Sequence, residues 1–358
     1  MLAKKILFRL LIIVAVLSAC TSTIDFDGEA TAPKVVVHGF ISPDSLVSAY
    51  VSLSTFFLSD TLQFKQIFNA DVSLYVNGEF KEKMNSVYTN RIAMYRGTYR
   101  PKVTDKLKIV VKVPEMEEVY AETGFCTPPV IQSVDTTKKI ESILYSISAE
   151  NETISVDYGC KLNIKIKFTD NAKEKNFYRL VVMTKSYYYE PRMYLDSLNW
   201  EWKKRLEEFS KIYYNRLDFT DPATGNSSSL NPLDEISSIT GEMISAAETY
   251  NVFSDELING KTYTLNCTAN NISYLKRTPG FEVDSEKGKL YYYSVEKSEV
   301  FVCLQAISEE YYYYLKTRGA SAKDDFFAEP VQIISNIHGG IGFIGAYTTS
   351  NIFSYVVE

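Results

Sequence analysis

The sequence predicts a mainly β protein: an N-terminal immunoglobulin/transthyretin-like β-sandwich followed by a second β-rich (α+β) domain with one or more helices. Three observations predict this class. Apolar and polar residues alternate in many short segments, which is the period of a half-buried strand. The 358 residues include 27 tyrosines and 20 phenylalanines, and aromatic side chains favour strands. Turn-forming pairs such as Asn77-Gly78 separate the alternating segments.

The first residues of the chain have the features of an export signal. Lysine and arginine side chains precede an apolar run, residues 10–17, that is shorter than the roughly 20 residues needed to span a membrane. The small residues before Cys20 resemble a lipobox, so we expect residues 1–19 to be a lipoprotein signal peptide and Cys20 to be lipidated. The alternative is an ordinary cleaved signal with a cysteine nearby. Several acyl chains on Cys20 would give a stable membrane anchor.

Residues 20–33 are polar and lack periodicity, which predicts a flexible tether. Asp25, Asp27 and Glu29 follow the expected anchor closely and resemble a surface-export signal. The sequence therefore predicts an outer-membrane protein, anchored by lipid and facing outward. These three acidic residues lack the further ligands of a calcium loop, so we expect no metal site here.

The charge balance argues against nucleic acid as a partner. The chain carries 38 basic and 44 acidic side chains, a formal net charge of −6. Three of the basic side chains lie in residues 1–19, so the mature chain has 35 basic and 44 acidic side chains, a formal charge of −9. An acidic protein lacks the positive surface that phosphate backbones attract.

Residues 34–126 are predicted to form the β-sandwich, because short strand patterns and turns follow one another there. Asn77-Gly78 lies between two such patterns and predicts a tight hairpin. Thr127-Pro128-Pro129 cannot continue a strand ladder, so a domain boundary is expected at this point. Strands are predicted at residues 34–41, 45–54, 70–76, 79–81, 91–94, 97–100, 106–113 and 119–125.

Residues 127–358 are predicted to form the second domain. Alternation at residues 162–168 predicts a strand, and residues 177–183 are expected to be its partner. Strands are also expected at 261–268 and at 290–295, the latter pairing with 300–307. Apolar residues at helical spacing predict an amphipathic helix over 192–217. They are Leu195, Leu198, Trp202, Phe209 and Tyr213.

The C-terminal end combines a strand, a helix and a glycine-rich segment. Ser308 is a suitable N-cap for a helix over 309–318, with Gly319 as its stop. Residues 340–345 fit the pattern G-x-G-x-x-G. A dinucleotide site needs a following helix, a further strand and an acidic residue about 20 positions later, yet thirteen residues follow Gly345. These glycines instead predict a strand whose backbone passes close to another element.

The same C-terminal residues resemble a known family. They read Ile-Ser-Glu-Glu-Tyr-Tyr-x-Tyr-Leu at 307–315, Glu-Pro-Val at 329–331 and Ser-Asn-Ile-x-Gly-Gly-Ile-Gly-x-x-Gly-Ala-Tyr at 335–347. This order resembles a family of Bacteroidota lipoproteins known as domain of unknown function 4249. Members are commonly encoded beside TonB-dependent outer-membrane receptors. The resemblance implies an accessory protein that binds or helps to take up a nutrient, with such a receptor as its partner.

Clustered tyrosines are the candidate binding residues. Neighbouring residues of a strand point to opposite faces, so a run of three exposes at least one ring. Exposed tyrosine suits protein interfaces and sugar faces, because it offers rigid apolar area with a polar tip. The alternative is that these rings belong to the core or to ordinary surface. The candidates are Tyr187, Tyr188, Tyr189 and Tyr292.

The remaining reactive residues do not point to an enzyme. Neither His38 nor His338 lies in a catalytic motif, and the sequence contains no H-E-x-x-H, G-x-S-x-G or C-x-x-C pattern. We expect His38 to be a strand residue and His338 a turn residue, with no catalytic group, cofactor or metal. Two further functions stay open: a free-standing glycan- or protein-binding surface module, and an envelope hydrolase whose carboxylates are not visible from spacing.

Four cysteines remain after Cys20. They allow three disulfide pairings in an oxidising envelope, or they are buried free thiols. Two of them lie in predicted strands, where a small apolar side chain also fits. The four are Cys126, Cys160, Cys267 and Cys303.

Overall fold

A computed structural model describes most of the chain after the predicted tether. No helix among these residues is both long and apolar enough to cross a membrane. Cys20 and Tyr292 lie outside the described residues, as do the predicted signal peptide and most of the tether. The described residues are 32–55, 65–89, 92–147, 153–196, 201–215, 217–219, 221, 223, 251–277, 295–321 and 332–358.

These residues are mostly strand, which confirms the predicted mainly β class. In chain order, the elements are β1 Val35–Ile41, β2 Ser48–Leu53, β3 Lys65–Gln66, β4 Asp71–Val76, β5 Glu79–Lys83, β6 Asn85–Thr89, β7 Ile92–Arg96, β8 Lys106–Lys112, β9 Val119–Gly124, β10 Val130–Ile147, β11 Thr153–Thr169, β12 Phe177–Asp196, β13 Glu201–Tyr214, β14 Leu217–Phe219, β15 Val252–Ser254, β16 Thr262–Arg277, β17 Val295–Ile307, α1 Glu309–Ser321, β18 Ile341–Thr349 and β19 Phe353–Val357.

The strands form one large sheet and two small ones. The large sheet follows the order β13-β12-β17-β18-β1-β2-β7-β6, with β15, β19 and β3 pairing at its sides. One four-stranded sheet has the order β5-β4-β8-β9, and the other has the order β10-β11-β16-β14. Each small sheet shares an apolar core with part of the large sheet. The layers are therefore those of β-sandwiches, as predicted.

The N-terminal core lies between β1–β2 and the sheet β5-β4-β8-β9. Val35 and Val37 pack there with Leu74 and Ile109, as the alternation of their strands requires. The predicted hairpin is confirmed, since Asn77 and Gly78 adopt positive φ values of 54° and 87°.

The strand predicted at residues 97–100 is wrong. The carboxylate of Glu82 accepts hydrogen bonds from the backbone N–H groups of Thr98 and Tyr99, at 2.9 and 2.8 Å. A side chain therefore takes the place of a neighbouring strand for these two donors. A local pattern cannot show this contact, because it depends on the fold of β5.

The second core lies between the sheet β10-β11-β16-β14 and strands β12 and β17. Leu162 and Phe168 from β11 pack in it with Leu180 from β12. The predicted strand at 162–168 is confirmed, but its predicted pairing with 177–183 is wrong. Strand β11 pairs with β10 and β16, whereas β12 pairs with β13, β15 and β17. The two segments face each other across the core, where both apolar faces become buried.

The predicted amphipathic helix at 192–217 is also wrong, because the structure places residues 192–196 in β12, 201–214 in β13 and 217 in β14. Strands β12 and β13 form an antiparallel ladder from Met183↔Tyr214 to Asp196↔Glu201. Strand β17 fixes β12 on its other side. Pairing with an already formed strand thus overrides the local helical spacing of the apolar residues.

Helix α1 and its N-terminal boundary are confirmed. The backbone oxygen of Ser308 accepts from Tyr312 N at 3.0 Å, while its hydroxyl accepts from Ala346 N of β18 at 3.3 Å. The helix continues to Ser321, so the stop predicted at Gly319 is wrong. Helical hydrogen bonding runs past this glycine, whose extra backbone freedom permits a helix end without imposing one.

The glycine-rich segment forms strand β18, as the sequence predicts. It runs parallel to β1, with Val36 opposite Ile341 and Ile41 opposite Ala346. Strands from both sides of the expected boundary after Cys126 therefore share one sheet, and the boundary itself stays a prediction. Residues 300–307 lie in β17, which pairs with β12, β18 and β19, while the predicted partner 290–294 lies outside the described residues.

Candidate functional site

The predicted tyrosines Tyr187 and Tyr188 lie near one end of the β12–β17 pair. Tyr187 is opposite Lys297, and Tyr188 is opposite Val295 after a register shift. As neighbours in a strand they point to opposite faces of the sheet. Each ring therefore has its own surroundings. The side chain of Tyr189 and the whole of Tyr292 lie outside the described part of the chain.

The ring of Tyr187 is held by charged neighbours. Its hydroxyl donates to Glu299 Oε2 at 3.1 Å. The ammonium groups of Lys185 and Lys297 lie 4.9 and 4.5 Å from the ring centroid, within the range of cation–π attraction. The ring is half-buried, and its position is fixed by three side chains of two strands. This face offers aromatic area and positive charge to a ligand.

Tyr188 is part of the packing rather than a free ring. It stacks on Phe209 of β13 with centroids 5.2 Å apart and an interplanar angle of 14°. Its hydroxyl lies 3.1 Å from that of Tyr213. Burial, followed by this hydrogen bond, raises the pKa of Tyr188 to about 12. Tyr188 is therefore neutral at physiological pH and mainly fixes the β12–β13 hairpin.

A buried serine pair lies beside Tyr188 and links the two sheets of the sandwich. Ser186 Oγ is 3.2 Å from Ser298 Oγ. The Ser298 hydroxyl donates to the backbone oxygen of Ser273 in β16 at 2.7 Å. Both hydroxyls are buried and satisfied, as buried polar groups generally are. The pair marks the place where the apolar side chains of β12 give way to polar and aromatic ones.

A second aromatic group lies on the facing sheet. Tyr158 of β11 stacks on Tyr274 of β16, with centroids 4.9 Å apart. Lys138 Nζ lies 4.4 Å from the Tyr274 centroid and donates to the backbone oxygen of Glu358 at 2.8 Å. Sequence reasoning missed this group, because its members come from three strands whose register is not visible in the sequence.

Several large apolar side chains are exposed together at the far end of β10. We call residues 140–147 the β10 arm. Large apolar side chains are exposed on both faces of this segment, although a strand over a core normally exposes one face. Their exposed fractions are 44% for Ile140, 44% for Ile143, 67% for Leu144, 62% for Tyr145 and 58% for Ile147. The arm was not among the candidate residues from the sequence, because periodicity does not show where a strand leaves the core.

A further tyrosine cluster, on helix α1, is mostly core. Tyr311, Tyr312 and Tyr314 pack from α1 against Phe177 and Phe343 on the large sheet. Tyr314 stacks on Phe343 with centroids 4.3 Å apart. These rings hold the helix on the sheet and therefore belong to the core rather than to a binding surface.

All four described cysteines are free thiols, and three of them are buried. Burial raises the pKa of the Cys267 thiol to about 12, with the nearby charge of Asp221 adding to the effect. Burial likewise raises the pKa of Cys303 to about 11. These thiols are therefore protonated at neutral pH and act as small core side chains.

The described residues contain no cluster of three or more histidine, cysteine, aspartate or glutamate side chains placed to hold a metal ion. His338 lies in a turn, where its ring stacks on Tyr120 at 4.5 Å and its backbone bridges the same residue. His38 lies in β1 opposite Tyr50, as expected of a strand residue. What the described surface offers is aromatic, apolar and positively charged contact area.

His38 makes a testable contribution to stability. Burial, with the charge of Arg318 as a smaller cause, lowers the pKa of His38 from 6.5 to about 4. The unfolded chain binds this proton more readily, so stability is lost as pH falls from 6.5 towards 4. We expect His38→Gln to reduce the loss of unfolding free energy between pH 7 and pH 4 by up to about 3 kcal/mol, measured by urea denaturation.

The matched control for this prediction is His338→Gln, which removes the exposed histidine. Urea denaturation of the two variants at both pH values assigns the effect to one ring or the other. An unchanged pH dependence in His38→Gln would contradict a neutral, half-buried His38.

Comparison with protein families gives one match. A family model described as Domain of unknown function (DUF4249) matches residues 21–352. No curated protein matches the chain. The matched range extends from the residue after Cys20 almost to the end of the chain, and it includes the β10 arm and every described strand except β19.

Proposed function

Because the chain belongs to the DUF4249 family of unknown function, we propose that it is a lipid-anchored accessory protein of the outer membrane that works with a TonB-dependent receptor. In this role it would face outward and help to bind or take up a nutrient. The anchor is Cys20 and the membrane is its first partner. The resemblance of residues 307–347 to lipoproteins encoded beside such receptors supports the choice of the second partner.

The observation that carries the proposal is the β10 arm. Soluble proteins rarely leave several large apolar side chains exposed together, and where they do the surface generally marks an interaction site. The arm leaves a sandwich whose core is filled by large apolar side chains such as Phe168 and Leu162. An exposed apolar segment of this kind suits an accessory protein that docks on a larger partner.

The predicted tether is compatible with such docking. Residues 20–33 connect the anchor to β1, and fourteen residues span at most about 50 Å when fully extended. The body would therefore stay close enough to the membrane to meet a receptor embedded in it. A long diffusive search would not be needed, because anchoring raises the local concentration of both proteins.

Co-purification tests the proposal. The full chain carries a C-terminal tag, outer membranes are solubilised gently, and proteins recovered with it are identified by mass spectrometry. We expect a TonB-dependent receptor in about equal amount. In the Cys20→Ala control, the loss of the anchor should remove the chain from the membrane fraction and lower recovery of the receptor with it.

Recovery of the chain alone, from cells in which a protease can reach it at the surface, would contradict the proposal. That outcome would favour a free-standing glycan- or protein-binding module. Turnover of a substrate by the purified chain, abolished by changing one carboxylate, would instead favour an envelope hydrolase.

A further inference from the structure

We propose that the β10 arm accepts an extended, acidic segment of a partner protein as an additional strand of the sheet β10-β11-β16-β14. Among the described strands, β10 pairs with β11 alone and forms the edge of this sheet. An edge strand presents a row of backbone N–H and C=O groups that another extended chain can bind. The proposal concerns the arm itself and holds whichever protein carries the added strand.

The first half of β10 has the features that protect an edge from pairing. Register shifts interrupt the ladder between Ile131 and Ser133 and between Ile140 and Ser142. Lys138 and Lys139 lie between these irregularities. Bulges and lysines are the devices by which edge strands avoid unwanted partners. A new strand is therefore not expected along this half.

Between its two register shifts, the arm has neither a bulge nor a lysine that would protect the edge from pairing. Residues 142–146 pair with β11 in unbroken register, up to the next shift between Ser146 and Ile147. These five residues carry no charge. Leu144 and Tyr145, on opposite faces, are both more than 60% exposed. A strand added here could gain backbone hydrogen bonds and cover apolar area on both faces at once.

The charge around the arm favours one kind of partner. Beside it, β11 and β16 carry Lys161, Lys276 and Arg277 against Asp157, and with Glu141 of the arm the local net charge is +1 in a chain whose formal charge is −6. Glu141, in the arm, already forms an ion pair with Lys161 at 3.0 Å. Electrostatic complementarity therefore favours a strand that alternates apolar and acidic residues.

Two other occupants fit less well. A second copy would pair arm with arm and bring two positively charged edges together, which like-charge repulsion opposes. A lipid surface would have to receive Asp157, which lies opposite Leu144 on β11. Charged carboxylates enter a membrane only at a large free-energy cost. Both occupants are outcomes that the experiment distinguishes.

The experiment uses a photoreactive amino acid, p-benzoylphenylalanine, at position 144 of the full, anchored chain in living cells. After irradiation, the adduct is isolated and the crosslinked residue in the partner is mapped by mass spectrometry. We expect one protein adduct that maps to an extended segment with acidic and apolar residues. The matched control places the same group at Lys165, an exposed position on the central strand β11, where this adduct should not form.

Substitutions then test the chemistry of the contact. We expect Leu144→Glu to lower recovery of the mapped partner at least about tenfold, as is usual for a central anchor residue. Leu144→Lys should lower it less, because the added positive charge attracts the acidic segment. Ile352→Glu changes a similarly exposed isoleucine, 59% exposed, outside the arm and should leave recovery unchanged.

Several results would overturn the inference. They are no adduct at position 144, an adduct with lipid or with a second copy, the same adduct at 144 and 165, or equal losses from Leu144→Glu and Leu144→Lys. A failure of this inference can be distinguished from a failure of the function proposed above. If a receptor co-purifies but no crosslink forms at position 144, the arm is not the docking site. If the crosslink instead maps to an acidic strand of another protein, the arm is a docking site and the receptor is not its partner.

Discussion

Gly342→Ala is expected to destabilise the protein by more than about 4 kcal/mol, enough to unfold most domains of ordinary stability. Gly342 lies in β18 with a φ of 113°, a conformation that side chains rarely tolerate. A Cβ atom at this position would collide with the backbone oxygen of Val37 in the neighbouring strand β1. Backbone atoms within a paired strand cannot move aside without breaking the ladder.

The matched control is Gly78→Ala in the β4–β5 hairpin. Gly78 also has a positive φ, 87°, but a Cβ there would meet no atom within 4 Å. The control therefore carries the conformational strain without the collision, and we expect a loss of about 1–2 kcal/mol. Urea denaturation of both variants gives the comparison. Similar losses would mean that strands β1 and β18 are not packed as closely as described.

Phe168→Ala is expected to cost about 3–5 kcal/mol of unfolding free energy. Phe168 is fully buried at the centre of the second core. Its ring meets Tyr178 edge-on at 5.4 Å and Phe253 at 6.3 Å, so both sheets of the sandwich contribute to its surroundings. Truncation leaves a cavity that the two remaining rings and the two sheets cannot close without shifting from their packed positions.

The control for this prediction is Phe80→Ala. Phe80 is 55% exposed in β5 and contacts Tyr75 edge-on at 5.6 Å. We expect a loss below about 1 kcal/mol, since little area is buried there. Both free energies come from urea denaturation monitored by circular dichroism. A loss from Phe168→Ala no larger than that from Phe80→Ala would be inconsistent with a shared core between β11 and β12.

Features that depend on neighbouring residues were predicted well from the sequence. Asn77 and Gly78 form the expected turn because both tolerate positive φ, whatever lies around them. Ser308 precedes the helix because its backbone and the acidic residues after it favour a helix start. The absence of a helix after Gly345 was visible from the β-branched and aromatic residues that follow it. Each of these inferences needed only a few residues.

Features that depend on distant pairing were not predicted. Leu195, Trp202 and Phe209 have helical spacing, yet they lie in a hairpin that is fixed by β17. Tyr188 was a candidate binding residue, yet it stacks on Phe209 of the next strand and is nearly buried. The β10 arm is exposed in the folded chain, and no property of its own residues reveals this.

Synthesis from the N-terminus produces strand β1 long before it produces β18, the strand with which β1 pairs in parallel. Val36 finds its partner only when Ile341 has been synthesised. Contacts between positions so distant in the sequence form slowly. Until β18 pairs with β1, this edge of β1 remains accessible to chaperones. The export signal predicted at residues 1–19 would require the chain to cross the inner membrane before it closes into its final shape. Late completion of the β1–β18 ladder would keep the nascent polypeptide competent for that passage and delay its maturation until the last strands have arrived.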